Sequence, residues 1–152
     1  MSNLEHINNE NEIEYMKERL TKQIDWYDKK SIRYKRLYHT FQIIKIIIAA
    51  LITLLSVLSE IKYISFIIAL CGALVIVLES INQLYKYHEK WIQYRTTCEQ
   101  LRYHKYLYET NSYIYSANET FFNKFVKNVE QIISSENNQW KESYNIKTKG
   151  DE

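Results

Sequence analysis

The chain has 152 residues, of which 46% are hydrophobic and 25% are charged, and its 20 Lys and Arg against 18 Asp and Glu leave a net charge of +2. Such a small excess of Lys and Arg argues against nucleic-acid binding, because domains that bind nucleic acids usually carry a basic excess across the whole domain. The sequence contains no proline and only two glycines. A chain that lacks the two strongest helix breakers is predicted to build long helices.

The N-terminal region is predicted to be a disordered tail over residues 1–9, followed by a long helix over residues 10–40. Apolar residues recur along this helix at a strict interval of seven, which is the spacing of a coiled-coil seam. The seam runs directly into the first apolar stretch. Its members are Ile13, Leu20, Tyr27, Tyr34 and Phe41.

Two apolar stretches in the middle of the chain, residues 41–59 and 63–82, are predicted to cross a membrane. Each is close to the roughly 20 residues that a helix needs to cross a hydrocarbon layer of about 30 Å. The intervening turn, residues 59–62, is too short to hold a domain. The chain is therefore predicted to cross, turn and return at once, as a hairpin with both flanks on one side.

The orientation of this hairpin is indicated by charge. An acid-free basic run comes just before the first span, whereas the turn carries only Glu60 and Lys62. Because Lys and Arg near span ends favour the cytoplasmic side, a multi-pass protein of the cell (plasma) membrane with both termini in the cytoplasm is predicted. The run can also contact anionic lipid headgroups, or be an ordinary solvated helix face. It comprises Lys29, Lys30, Arg33, Lys35 and Arg36.

After the second span, a helix over residues 83–110 is predicted to be continuous with it and to pair antiparallel with residues 10–40, as a cytoplasmic stalk. A short amphipathic helix over residues 117–137 follows. The capping-box spacing of Ser116 and Glu119 introduces it, and Ser134 to Asn138 ends it. Residues 141–152 are predicted to be a second disordered tail. The predicted fold is thus an all-α membrane protein with one domain over residues 10–140.

Polar and small residues form a stripe along the first span. At 100° per residue they fall within an arc of about 80°. The stripe has two interpretations: small residues that let helices pack closely, or the lining of a water-filled path made by several subunits. Its members are Gln42, Lys45, Ala49, Thr53, Ser56 and Glu60, with a weaker counterpart on the second span at Ser65, Ala69, Gly72, Glu79 and Gln83 that Ile76 interrupts.

Lys45 and Glu79 are both predicted near the cytoplasmic ends of their spans. They can pair within one hairpin or between neighbouring chains, since an unmatched charge at that depth is costly. Snorkelling of Lys45 to the inner headgroups is the simpler alternative.

A second polar face is predicted on the helix after the second span. Its side chains either form an Arg–carboxylate contact within the stalk or present a small recognition surface. They are Trp91, Arg95, Glu99 and Arg102.

The remaining motifs give no sign of enzymatic chemistry. The four histidines and two cysteines are scattered, without metal-ligand spacing. No nucleophile–base pair or phosphate-binding glycine loop is present in the sequence. Neither a metal, a cofactor nor a catalytic residue is therefore expected.

Three segments carry a resemblance to a known family: RYKRLY at residues 33–38, LYKYHEKWIQYRTTCEQL at residues 84–101 and FVKNVEQIISSENNQW at residues 125–140. Together they resemble a bacterial family of small two-span proteins of unknown function that is grouped with the SLATT domains, the two-transmembrane effectors associated with nucleotide-signalling systems. The resemblance covers about residues 10–140. Its most specific part is the W-x3-R-x3-E-x-L pattern of Trp91, Arg95, Glu99 and Leu101.

This resemblance implies a membrane effector that forms pores in bacterial conflict systems, with its sensor on a separate cytoplasmic protein. Together with the stripe, it leads us to expect a homo-oligomeric channel or pore-forming effector. The alternative is a non-conducting, membrane-anchored interaction module that recruits a cytoplasmic partner through its stalk.

Overall fold

A computed structural model describes residues 10–57, 61, 63–115 and 121–149, with the backbone alone for Tyr113 and residues 136–149. Every secondary structure element that these residues form is helical, which confirms the all-α class. Helical backbone begins at residue 10. The elements are a π-helix (Tyr15–Thr21), α1 (Lys22–Ser56), α2 (Ile64–Tyr85), α3 (Tyr87–Glu109), a 3-10 helix (Tyr113–Tyr115) and α4 (Phe121–Lys149).

Several predicted features lie outside the described residues. These are the tail over residues 1–9, most of the turn with its residue Glu60, the capping box at residues 116–119 and residues 150–152. They stay predictions.

The predicted helix over residues 10–40 contains a π-helical segment, Tyr15–Thr21, that its seven-residue spacing did not indicate. The Thr21 hydroxyl donates to the carbonyl of Met16, five residues earlier, at 2.7 Å. This side-chain bond spans the same five residues as a π-helical backbone bond. A pattern of apolar residues reports which side of a helix is buried, but not a local widening of its turns.

The second span is predicted to continue directly into the helix that follows it, and this prediction is wrong at Lys86. Lys86 adopts a left-handed conformation, with φ 50° and ψ 46°, and its N–H donates to the carbonyl of Asn82. A left-handed residue at this point ends a helix in the way that glycine usually does. The chain therefore forms two helices, α2 and α3, where one was predicted.

The end of the last helix also differs from the prediction. The sequence placed it at Ser134 to Asn138, with a disordered tail from residue 141, whereas the helical backbone of α4 continues to Lys149. Neither proline nor glycine occurs between Phe121 and Lys149, and the first such residue is Gly150. The polar residues after 134 lower hydrophobicity, but they do not break a helix.

The described chain divides into two compact units, and the first joins residues 10–29 with residues 94–149. Its contacts run antiparallel, since Glu12 contacts Tyr108 and Ile24 contacts Cys98. The seam is confirmed at Leu20 and Tyr27, but Ile13 is 64% exposed and lies outside the core. That core comprises Leu20, Ile24, Tyr27, Cys98, Leu101, Tyr115, Phe125, Val129 and Ile133.

The second unit comprises residues 30–93. Here too the partners run antiparallel: Tyr38 packs on His88, and Lys45 pairs with Glu79. Many large apolar side chains of this unit are exposed, among them Ile46 at 67%, Leu54 at 68% and Phe66 at 72%. The helical stretches Glu10–Ser56 and Ile64–Glu109 are long and apolar enough to cross a membrane, judged by length and composition.

Candidate functional site

The ionisable residues of the two apolar helices meet within a single chain. Lys45 of α1 forms an ion pair with Glu79 of α2, and the lysine side chain is only 13% exposed. One turn before Lys45, the Gln42 amide donates to the Tyr38 hydroxyl at 3.0 Å. Pairing within one hairpin is one of the arrangements that the sequence left open for Lys45 and Glu79, and the single chain adopts it.

A second polar group lies one helical turn beyond Glu79. The side-chain oxygen of Asn82 is buried and has no hydrogen-bond partner among the described residues. Glu79 and Asn82 are three residues apart and therefore share one face of α2. Buried polar oxygens are normally bonded to protein or to water, so this part of the second unit is a polar layer inside an otherwise apolar pair of helices.

The predicted stripe on α1 divides into two parts. Gln42 and Lys45 are half-buried on the sheltered side of α1. Ala49, Thr53 and Ser56 are exposed. We call these last three residues the small-polar strip. Its hydroxyls bond within their own helix: Thr53 donates to the Ala49 carbonyl at 3.0 Å, and Ser56 donates to the Thr53 carbonyl at 2.7 Å.

The weaker stripe of α2 shows the same division. Ser65 and Ala69 are exposed, while Gly72 and Glu79 are half-buried. A Cβ atom added at Gly72 would meet nothing within 4 Å. Close packing inside the chain is therefore not the reason for glycine at this position. The small residues of both helices are left available to something outside the single chain.

The basic run lies on α1 ahead of its apolar part. Lys29, Arg33, Lys35 and Arg36 are exposed, and Lys30 is half-buried.

One of these cations has an aromatic partner. The Lys35 ammonium lies over the Trp91 ring, 5.5 Å from its centre. The same indole packs against the rings of His39 and His88, at 6.1 and 5.5 Å. Trp91 is therefore part of an aromatic cluster in the second unit.

The other three members of the predicted polar face form an ion-pair cluster in the first unit. Arg95 contacts Glu99 at 2.6 Å and Asp28 at 3.1 Å, and Arg102 contacts Glu99 at 3.2 Å. Asp28 was missed by the sequence analysis, although it directly follows the seam residue Tyr27. Because two carboxylates face two guanidiniums, the charges of this cluster are matched within the chain.

A second cluster of the first unit was also missed. Glu130 of α4 accepts two hydrogen bonds from the Arg19 guanidinium, at 3.1 and 2.9 Å, and one from the Tyr15 hydroxyl at 3.0 Å. The bonds from Arg19 and Tyr15 lower the pKa of Glu130. Burial, with the Glu130 carboxylate beside it, raises the pKa of Tyr15. No spacing in the sequence indicates this contact, since 111 residues separate Arg19 from Glu130.

Cys98 is not set up as a reactive thiol. Cys98 is fully buried, and burial raises the pKa of its thiol. In the described part of the chain, no three side chains of His, Cys, Asp or Glu are grouped so that they could hold a metal ion.

Comparison with known proteins identifies a family. A model of the family described as "Protein of unknown function (DUF4231)" matches residues 22–121, which cover α1, α2 and α3 and reach the start of α4. No curated protein and no solved structure matches the chain. The match includes the Lys45–Glu79 pair, the small-polar strip and the ion-pair cluster of Asp28, Arg95, Glu99 and Arg102. Since it spans about two thirds of the sequence, the chain belongs to the DUF4231 family.

Proposed function

We propose that this protein is an oligomeric channel of the cell membrane, with the apolar parts of α1 and α2 crossing the bilayer and both termini in the cytoplasm. The observation that carries the proposal is the exposure of Ala49, Thr53 and Ser56 in the apolar part of α1, residues 41–56, where the other exposed residues are mostly Ile and Leu. The small-polar strip does not face the other helix of its own hairpin. It is open to a neighbouring chain or to water.

The hydrogen bonds of the strip do not require a second helix. The hydroxyl hydrogens of Thr53 and Ser56 are already donated to backbone carbonyls of α1. Neither side chain needs an acceptor on another helix, which is the usual reason for such residues in helix contacts. Lone pairs remain on both oxygens, and these can accept hydrogen bonds from water in a path between subunits.

The Lys45–Glu79 pair fits the same arrangement. Charged groups in a membrane are tolerated when they are paired or face a hydrated space. Lys45 is sheltered, while the Glu79 side chain is 43% exposed. Each subunit thus neutralises its own lysine and leaves part of a carboxylate accessible near the cytoplasmic end of the path.

The orientation rests on the exposed cations of α1. Lys29, Arg33, Lys35 and Arg36 come before the apolar part of the helix, on the side of the predicted cytoplasmic ends. They are placed to contact anionic lipid headgroups. The sequence resemblance to the group of families with SLATT domains supports the further proposal that the channel is an effector triggered by a separate sensor protein.

Ion flux into liposomes that contain the purified protein tests the proposal. Replacing Thr53 and Ser56 together by Leu removes the polar lining, so we expect flux to fall by at least about tenfold while the oligomer persists on native gels. Ile46→Leu with Ile47→Leu, on the exposed apolar side, is the matched control and should conduct like the wild type. Loss of the oligomer in the Thr53 and Ser56 variant would instead assign the strip to helix packing.

A non-conducting interaction module is the alternative. It predicts that Glu99→Lys abolishes the capture of a cytoplasmic partner and that no variant of the strip changes flux. The matched charges of Asp28, Arg95, Glu99 and Arg102 make this cluster better suited to holding α1 and α3 together than to attracting a charged partner. No catalytic role is proposed.

A further inference from the structure

The start of the described chain does not follow the apolar spacing of its own sequence. In a regular α-helix, Ile13 lies within about 20° of Leu20, because seven residues are almost two full turns. Leu20 is fully buried, but Ile13 is 64% exposed. The half-buried Glu12 lies against α3 instead, where its carboxylate accepts a hydrogen bond from the Tyr108 hydroxyl at 2.8 Å. An acidic residue thus takes the position that the spacing assigns to an apolar one.

The π-helix, Tyr15–Thr21, accounts for this difference. A π-helix places more residues in each turn than an α-helix, since its hydrogen bonds span five residues instead of four. One extra residue rotates the chain before it by about 100° relative to the chain after it. This rotation turns Ile13 away from the core and brings Tyr15 onto it. The helix therefore has two possible registers: the observed one, which we call the π register, and the regular one, which we call the α register.

Contacts of Tyr15 hold the π register. Its ring packs edge-on against Phe122 and Phe125, with the ring centres 5.9 and 6.4 Å apart. Its hydroxyl donates to Glu130 at 3.0 Å, and the same carboxylate accepts two hydrogen bonds from Arg19. In the α register, Tyr15 would lie about 140° from the seam and lose these contacts. Hydrogen bonds to a charged carboxylate are among the stronger ones, so Glu130 is central to the π register.

The α register has a stabilising contact of its own. Ile13 already lies at the edge of an open groove that Met16, Lys105 and Tyr108 also line. A rotation of about 100° carries Ile13 toward the present position of Glu12 beside Tyr108. Burial of an isoleucine side chain and a hydrogen bond to a carboxylate have stabilising effects of similar size. The balance between the two registers therefore depends on a few contacts.

We propose that residues 10–21 are a conformational switch between these two registers, with Glu130 as the residue that holds the π register. Without its hydrogen bonds to Glu130, the π-helix becomes regular α-helix, residues 10–14 rotate and Ile13 turns onto the core. Two packings of one sequence that differ by a few contacts are a known basis of switching. The proposal does not depend on the channel function, since the residues concerned all belong to the first unit.

Maleimide labelling of Ile13→Cys tests this inference, on the full chain in detergent and in a background of Cys71→Ser and Cys98→Ala. The new thiol is exposed in the π register and sheltered in the α register. Glu130→Ala removes the acceptor, so we expect the labelling rate to fall by at least about threefold. Lys127→Ala, at an exposed residue of the same helix, is the matched control and should not change the rate. An unchanged or higher rate in Glu130→Ala would overturn the proposal.

Deletion of Lys17 separates a change of register from other causes of protection. It removes the extra residue, so that the chain before it keeps its present contacts in a regular α-helix. Ile13 and Leu20 are then six residues apart and lie about 120° from each other, so a regular helix cannot bury both. We expect rapid labelling of Ile13→Cys in the deletion protein, with or without Glu130→Ala. Circular dichroism verifies that all variants keep their helix content. An equal fall in rate with and without the deletion would contradict the switch.

Discussion

The two units of this chain distribute their side chains in opposite ways. The first buries Leu20, Leu101 and Phe125 completely and leaves its ion pairs at the surface. The second exposes Ile46, Leu54 and Phe66 and shelters Lys45. In water the first arrangement is stable and the second is not, because exposed apolar area is unfavourable. The contrast supports the proposal that the apolar helices of the second unit lie in hydrocarbon while the first unit lies in water.

The largest expected difference between the two units is in the effect of replacing one phenylalanine in each. Phe125 is fully buried in the first unit, so Phe125→Ala should lower the free energy of unfolding by about 3–5 kcal/mol. Phe66 is 72% exposed in the second unit, and Phe66→Ala should change it by less than about 0.5 kcal/mol in detergent. Thermal unfolding followed by circular dichroism measures both. Equal losses would mean that the exposed apolar face of the second unit is covered by protein.

The next largest effect is expected at the polar layer of the second unit. Glu79→Gln leaves the sheltered Lys45 without its counter-charge, and we expect a loss of about 1–2 kcal/mol. The double variant Lys45→Met, Glu79→Leu should recover most of it, because an apolar pair needs no partner in hydrocarbon. Additive losses in the double variant would contradict the assignment of these residues to a direct ion pair.

A smaller effect is expected for Glu130 in the first unit. Glu130→Gln weakens a partly exposed pair with Arg19, so the expected loss is about 1 kcal/mol at neutral pH. Because the pKa of Glu130 is lowered in the folded protein, its contribution is full above the unfolded value of 4.5 and is lost as the pH falls through the folded value. Chemical denaturation at pH 7 and in acid measures the difference. A variant that loses stability equally at both pH values would contradict this origin.

The smallest effect concerns His104. Its pKa lies below the ordinary value of 6.5 in the folded protein, so the unfolded chain takes up this proton first as the pH falls. Stability is therefore full above pH 6.5 and decreases below it, until the folded ring also titrates. His104→Gln should remove this part of the acid dependence between pH 7 and pH 5. Parallel stability curves for the wild type and the variant would count against it.

Structural features that depend on residue patterns along the chain could be predicted from the sequence. The seven-residue spacing identified Leu20 and Tyr27 as core residues, and the two apolar stretches correspond to the exposed helices of the second unit. The Lys45–Glu79 pair was among the expected arrangements, because both residues were placed at the same depth. These features follow from local periodicity and from the length of a connection.

Features that depend on one residue or on distant contacts were not predictable. The helix break at Lys86 uses a left-handed lysine, a conformation that glycine usually adopts. The extension of α4 to Lys149 continues through polar residues with no apolar pattern. Contacts of Arg19 with Glu130 and of Tyr115 with Asn128 depend on how the helices fold back. No spacing in the sequence brings those side chains together.

We propose that the apolar parts of α1 and α2 lie in the bilayer as a hairpin whose turn is outside the cell. Impermeant maleimide added to intact cells tests it most directly, in a background of Cys71→Ser and Cys98→Ala with one new cysteine at a time. We expect Ile61→Cys, at the turn, to be labelled in intact cells and Asn123→Cys, on α4, to be labelled only after permeabilisation. Labelling of Asn123→Cys in intact cells, or recovery of the protein in the soluble fraction, would contradict the account.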